Sequence, residues 1–148
     1  MPYLVVFLAM LLGGCGHFLA TQDYQLHPYQ GIATQPPDNA VVVFLWPDKK
    51  YGSATLAVTQ NARTIGAIQG GTYFSTVVEP GPQTFAVDSG LMEKSREQVA
   101  LTTQPGKTYF LHYTPGGFYV VAKLELIAED VAMAQLPALN EIQLTATK

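Results

Sequence analysis

The chain has 148 residues, a net charge of −3, 48% hydrophobic and only 13% charged residues, and a single cysteine. That length suits one domain with its own core. The eight Lys and Arg are scattered, so no basic stripe exists to neutralise a phosphate backbone, which excludes nucleic acid as a partner, and one cysteine excludes both an intramolecular disulfide and a zinc site built on paired thiolates.

In chain order, the first element is an uncharged apolar run at residues 3–12 (Tyr-Leu-Val-Val-Phe-Leu-Ala-Met-Leu-Leu). A helix needs about 20 such residues to span a bilayer, so this length fits the apolar region of a signal peptide instead. Leu12-Gly13-Gly14-Cys15 follows directly. An aliphatic residue, two small residues and a cysteine resemble the lipobox of bacterial lipoproteins. The chemistry is coherent: the thiol is offered at the membrane surface for acylation, and small side chains precede the peptidase cut. The resemblance implies that residues 1–14 are a signal peptide and that Cys15 is the lipidated first residue of the mature chain, carrying palmitate. It also implies a cell-envelope location. Gly16, in place of the aspartate that tends to hold such proteins in the inner membrane, points to the periplasmic face of the outer membrane.

Residues 16–39 hold Pro28, Pro36 and Pro37 with polar neighbours and no sustained periodicity. They read, with Cys15, as a lipidated N-terminus and Pro-rich tether over 15–39. From residue 40 the texture changes. Ala40–Trp46 is a continuous β-prone apolar run, the mark of a strand buried on both faces. Segments 55–60 and 63–68 flank the short turn Asn61-Ala62. Segments 72–78 and 83–88 flank Glu79-Pro80-Gly81-Pro82, and 97–103 and 107–113 flank Gln104-Pro105-Gly106. Pro followed by Gly at the turn centre suits a type II turn, because glycine accepts the positive φ. Thr114-Pro115-Gly116-Gly117 leads to the last segment, 118–126. Alternation predicts Leu56, Val58, Phe85, Val87, Val99, Leu101, Val120 and Leu124 as inward-facing, and leaves open whether Tyr109/Leu111/Tyr113 or Phe110 faces the core. Ile127, Val131 and Ala134 fall at helical spacing, with Glu129 and Asp130 near the helix start and Pro137 to end it. The prediction is an all-β fold: a small antiparallel β-sandwich of about seven to eight strands over 40–136, one short C-terminal helix, and a loose tail at 137–148. A piece beginning near Gln35 is expected to fold alone without metal.

From about Ala40 to Leu136 the pattern is similar to a family of bacterial lipoproteins that carry a small β-sandwich domain of unknown function. The residues concerned are Val42-Val43-Phe44-Leu45-Trp46-Pro47, Tyr51-Gly52-Ser53-Ala54, Gly71-Thr72-Tyr73-Phe74, Val78-Glu79-Pro80-Gly81 and Gln104-Pro105-Gly106-Lys107-Thr108-Tyr109-Phe110. The last two resemble the strand-Pro-Gly-strand turns of carboxypeptidase-regulatory sandwich modules. These motifs are mostly turn chemistry, so they imply fold more than activity.

Residues that carry chemistry are sparse. His17, His27 and His112 have no metal-ligand spacing, and Ser53, Ser75, Ser89 and Ser95 lie in no nucleophile motif. Glycines 66, 70 and 71 form no phosphate-binding loop. Neither an enzyme nor a cofactor is expected. If the eight segments alternate in direction, the short turns gather at one end, with the membrane, and both long loops at the other. Those loops carry Lys49, Lys50, Tyr51, Leu91, Met92, Lys94 and Arg96, with Trp46 at their base. Trp46, Lys49, Lys50, Tyr51, Met92 and Arg96 are therefore the candidate partner-binding residues. The expected function is a non-catalytic interaction or envelope-structural module, bound to the membrane through lipid and to another envelope protein. The alternative is a module that binds envelope polysaccharide or peptidoglycan by stacking sugars on the aromatic surplus.

Overall fold

The computed structural model describes residues 24–51, 54–88, 97–116 and 122–145. Among them are ten strands: β1 (Tyr24–Pro28), β2 (Ala40–Trp46), β3 (Leu56–Gln60), β4 (Arg63–Ile68), β5 (Thr72–Val78), β6 (Gly81–Asp88), β7 (Glu97–Thr103), β8 (Thr108–Thr114), β9 (Lys123–Ile127) and β10 (Asn140–Leu144). One α-helix, α1 (Glu129–Gln135), runs into a 3-10 turn at Leu136–Ala138, and a second 3-10 turn spans Lys49–Tyr51. The strands make an all-β sandwich of a six-stranded sheet, ordered β1-β10-β5-β2-β8-β9, and a four-stranded sheet, ordered β4-β3-β6-β7. Every pairing is antiparallel except β10 with β5 and β2 with β8.

The apolar run of β2 explains its place. All seven residues are buried, as the uninterrupted run predicts for a central strand. Because side chains alternate, Ala40, Val42, Phe44 and Trp46 face the four-stranded sheet and join the main core. Val41, Val43 and Leu45 face the other way, into a second core with Tyr73, Phe110, Ala132, Leu136 and Leu139. In the main core, Phe44 stacks on Phe74 at 4.9 Å between ring centroids and meets Phe85 edge-on at 5.5 Å. Gly66 floors this cluster: a Cβ there would lie 2.7 Å from the Phe74 ring. Leu56, Val58, Phe85, Val87 and Leu124 are in this core, and Val99 and Leu101 pack against it. Val120 lies outside the described residues. In β8 both faces are used, Leu111 and Tyr113 inward and Phe110 outward.

The turns follow their chemistry. Asn61 and Ala62 both take positive φ (49° and 67°), which matches a two-residue hairpin of type I′. Gly106 has φ 73°, and Lys107 N–H donates to the Gln104 carbonyl at 3.3 Å, the hydrogen bond of the expected Pro-Gly turn. Gly81 also takes positive φ, but the strand resumes there, so β6 starts at Gly81 and not at residue 83.

Three expectations fail at the two termini of the domain. Residues 24–39 are not a tether: β1 pairs with β10 from Tyr24↔Leu144 to Pro28↔Asn140, and Tyr29, Ile32 and Ala33 pack on the second core. Tyr73 Oη donates to the Gly31 carbonyl at 2.6 Å and Ala33 N–H donates to Ser75 Oγ at 2.9 Å, fixing that stretch across the sheet. The expected loose tail at 137–148 is not loose over its described part, 137–145, since β10 lies between β1 and β5; residues 146–148 lie outside the described ones. The sandwich thus runs from Tyr24 to residue 145, past the expected limits of 40 and 136. The helix forms where expected but turns a different face inward. Ala132 and Leu136, one turn apart, are buried, whereas Val131 and Met133 are exposed. The last predicted segment survives as β9 from Lys123, and residues 118–121 lie outside the described ones.

Candidate functional site

Strand direction fixes which features share an end of the sandwich. β2 runs antiparallel to β5 and parallel to β8, and β8 antiparallel to β9. In the smaller sheet β3 opposes β4 and β6, and β6 opposes β7. The alternation assumed from the sequence therefore holds within each sheet. The Asn61-Ala62, Pro80-Gly81 and Pro105-Gly106 turns gather at the Ala40 end. Residues 47–51 and Gln69-Gly70-Gly71 lie at the Trp46 end.

The Trp46 end is built from backbone locks more than from reactive groups. Gly71 N–H donates to the Trp46 carbonyl at 2.7 Å, and Gly71 has φ 80°, a conformation open to glycine. Thr72 Oγ1 donates to the Gln69 carbonyl at 2.8 Å and accepts from Gln69 N–H at 3.0 Å. Asp48 Oδ1 accepts from Lys50 N–H at 2.9 Å and starts the Lys49–Tyr51 turn. The methylenes of Lys49 lie over Gly71, leaving 3.0 Å to a hypothetical Cβ.

The candidate residues separate here. Lys49 and Lys50 are exposed at this end. Trp46 is not a surface residue: it is 1% exposed and packs edge-on against Tyr113 at 4.9 Å. The correction has a simple cause, because Trp46 shares parity with Ala40, Val42 and Phe44 and so points between the sheets. Its indole N–H has no acceptor among the described residues. The backbone of Tyr51 continues the 3-10 turn, while Cys15, Met92 and Arg96 lie outside the described residues.

Two titratable groups on the outer face of the six-stranded sheet are shifted. Burial first, then the charge of Glu141, pushes the Tyr73 hydroxyl up to about 12. It therefore stays protonated and keeps its hydrogen bond to Gly31. Burial lowers His112 from its ordinary 6.5, with Glu125 opposing and Lys123 reinforcing the shift. His112 faces Glu125 across the β8–β9 pair, and Glu125 is ion-paired with Lys123. No group of three His, Cys, Asp or Glu stands in metal-binding array among the described residues, and none of their helices is long and apolar enough to cross a membrane.

A further feature lies at the β1–β10 edge. Tyr24, Leu26, Ile142 and Leu144 share the inner face of these two strands. Ile142 is buried, but Tyr24, Leu26 and Leu144 are 40%, 43% and 36% exposed. The six-stranded sheet is wider than the four-stranded one, and β4 packs against β10, next to β1 at the sheet edge. The signal for this patch was in the sequence, as the alternation Tyr-Gln-Leu-His and Ile-Gln-Leu, but it was masked by the surrounding Pro-rich and polar residues.

The fold defines the class: an all-β sandwich of two sheets with one short C-terminal helix. In comparisons with known proteins, no family, no curated protein and no solved structure matches the chain.

Proposed function

We propose that the protein is a lipid-anchored module of the bacterial cell envelope, held at the membrane through Cys15 and acting by binding another envelope component without catalysis. The observation that carries this reading is the spacing of its parts. Leu12-Gly13-Gly14-Cys15 ends nine positions before Tyr24 (24 − 15), where the sandwich begins. Acylation at Cys15 would thus hold the sandwich within a few residues of the membrane surface. The finer reading places it on the periplasmic face of the outer membrane, from Gly16. The exposed Lys49 and Lys50 remain candidates for contact with an envelope protein. Trp46, Tyr73, Phe74, Phe110 and Tyr113 are buried, so these five rings are not offered to a sugar.

Labelled palmitate supplied to expressing bacteria tests the anchor. The natural chain should incorporate label and Cys15→Ser should lose essentially all of it. Equal labelling of the two would overturn the proposal. Membrane fractionation of the same cells tests the sorting, which fails if the protein follows inner-membrane markers.

A further inference from the structure

We infer that the β1–β10 edge rests on the lipid surface, with Tyr24, Leu26 and Leu144 entering the boundary between headgroups and acyl chains; this rests on the proposed acylation of Cys15. The first argument is reach. The nine steps from Cys15 to Tyr24 span about 30 Å at most. A domain of about 120 residues is about 35 Å across, so half its perimeter is roughly 55 Å. A lead leaving from Tyr24 is too short to pass around the domain, so the edge formed by β9 and β7 cannot be turned to the bilayer. Either the β1–β10 edge or the Ala40 end, where Tyr24 lies, must therefore face it, and the chemistry of the edge decides between them.

The second argument is chemistry. Along the inner face of this edge the register reads Tyr24, Leu26 and Pro28 opposite Leu144, Ile142 and Asn140, with no charge. The opposite face of the same strands carries Gln25, His27, Glu141 and Gln143. The edge is thus amphipathic across its thickness. Leucines suit the acyl side of the boundary, and a tyrosine suits the headgroup level, where its ring is apolar and its hydroxyl wet. The smaller sheet leaves this strip uncovered on the side from which the lead departs.

Docking in this way lays the strands nearly along the membrane plane. Tyr24, like Ala40, lies at the Leu144–Val78 end of the six-stranded sheet, so it is the apolar strip and not the point of entry that favours this orientation over an upright one. Both ends of the sandwich, including Lys49 and Lys50, then stay open to the periplasm.

The test uses the full acylated chain in vesicles of phosphatidylethanolamine and phosphatidylglycerol. The natural chain has one cysteine, whose sulfur the lipid occupies, so Leu26→Cys or Leu144→Cys supplies the single free thiol for an environment-sensitive fluorophore. Gln98→Cys on β7, at the opposite side, is the control. Quenchers carried on the upper acyl chain should dim the Leu26 and Leu144 probes at least three-fold more than the Gln98 probe. Equal quenching at all three sites, in protein whose acylation is verified by mass, would overturn the docking and leave the anchor intact. Disulfide-linked dimers through Leu26→Cys, in place of quenching, would assign the strip to a second copy and also overturn it. Unacylated protein would remove both the anchor and the docking.

Discussion

The two faces of β2 are buried by different means. Inward, Ala40, Val42, Phe44 and Trp46 meet a second sheet whose strands β3, β4, β6 and β7 are closed by short turns or local pairing. Outward, Val41, Val43 and Leu45 are covered by α1, the Leu136–Ala138 turn and residues 29–33, brought from opposite ends of the domain. The inner cover is a hydrogen-bonded ladder with an aromatic cluster at its centre. The outer cover is one short helix with its 3-10 turn, and an irregular N-terminal stretch pinned by side chains: Tyr73 Oη to Gly31, Ser75 Oγ to Ala33, and Thr108 Oγ1 to Gln35 Oε1 at 3.4 Å. A strand with two apolar faces needs two covers, and a sequence rich in alternation advertises only the one made of strands.

That contrast orders the expected effects. Phe44→Ala removes the ring that both Phe74 and Phe85 touch and should cost about 3–5 kcal/mol in denaturant titration. Leu136→Ala opens the outer core, where loosely tied segments can settle into the gap; the expected cost is about 2–3 kcal/mol. An outer loss equal to the Phe44 loss would erase the distinction. Gly66→Ala drives a methyl into the Phe74 ring and should destabilise by about 1–3 kcal/mol.

Tyr73→Phe tests a single pin and should cost about 1 kcal/mol. The same residue gives an alkaline signature. Its hydroxyl ionises near 10.0 when unfolded and about 12 when folded, so the unfolded chain releases the proton first and stability falls as pH rises between those values. Tyr73→Phe should remove that fall from a pH series of melting temperatures. The smallest effect is His112. Its folded pKa lies below 6.5, so the unfolded chain binds the proton first on acidification. Its contribution is present above 6.5 and lost as pH falls through the folded value, and His112→Asn should flatten that part of the curve.

These differences also explain what the sequence disclosed. The unbroken apolar run of Ala40–Trp46, the Pro-Gly turn before Lys107 and the Asn61-Ala62 hairpin rest on local chemistry and were legible. β1 and β10 were not, because each is five residues long and alternates only weakly, and each gains its stability by pairing with the other across more than a hundred positions. The helix position was legible from Glu129, Asp130 and Pro137, but its buried face depends on which neighbour it meets, and Ala132 with Leu136 is a small apolar stripe. Trp46 was misplaced because its residue type suggested an interface, although strand parity with Phe44 places it in the core. Of the candidate contact residues, the described structure keeps the side chains of Lys49 and Lys50 at the surface. The apolar strip at Tyr24, Leu26 and Leu144 became visible only with the pairing that lines it up.

The claim underlying both the fold and its orientation is that residues 24–33 belong to the domain. Equilibrium unfolding of a chain beginning at Tyr24, compared with one beginning at Gln35, tests it directly. Removing 24–34 deletes β1 and uncovers Tyr73 and the outer face of β2, so the shorter chain should lose about 3 kcal/mol or more, or fail to unfold cooperatively. Equal stability of the two chains would show that residues 24–34 are a tether after all and would contradict the account.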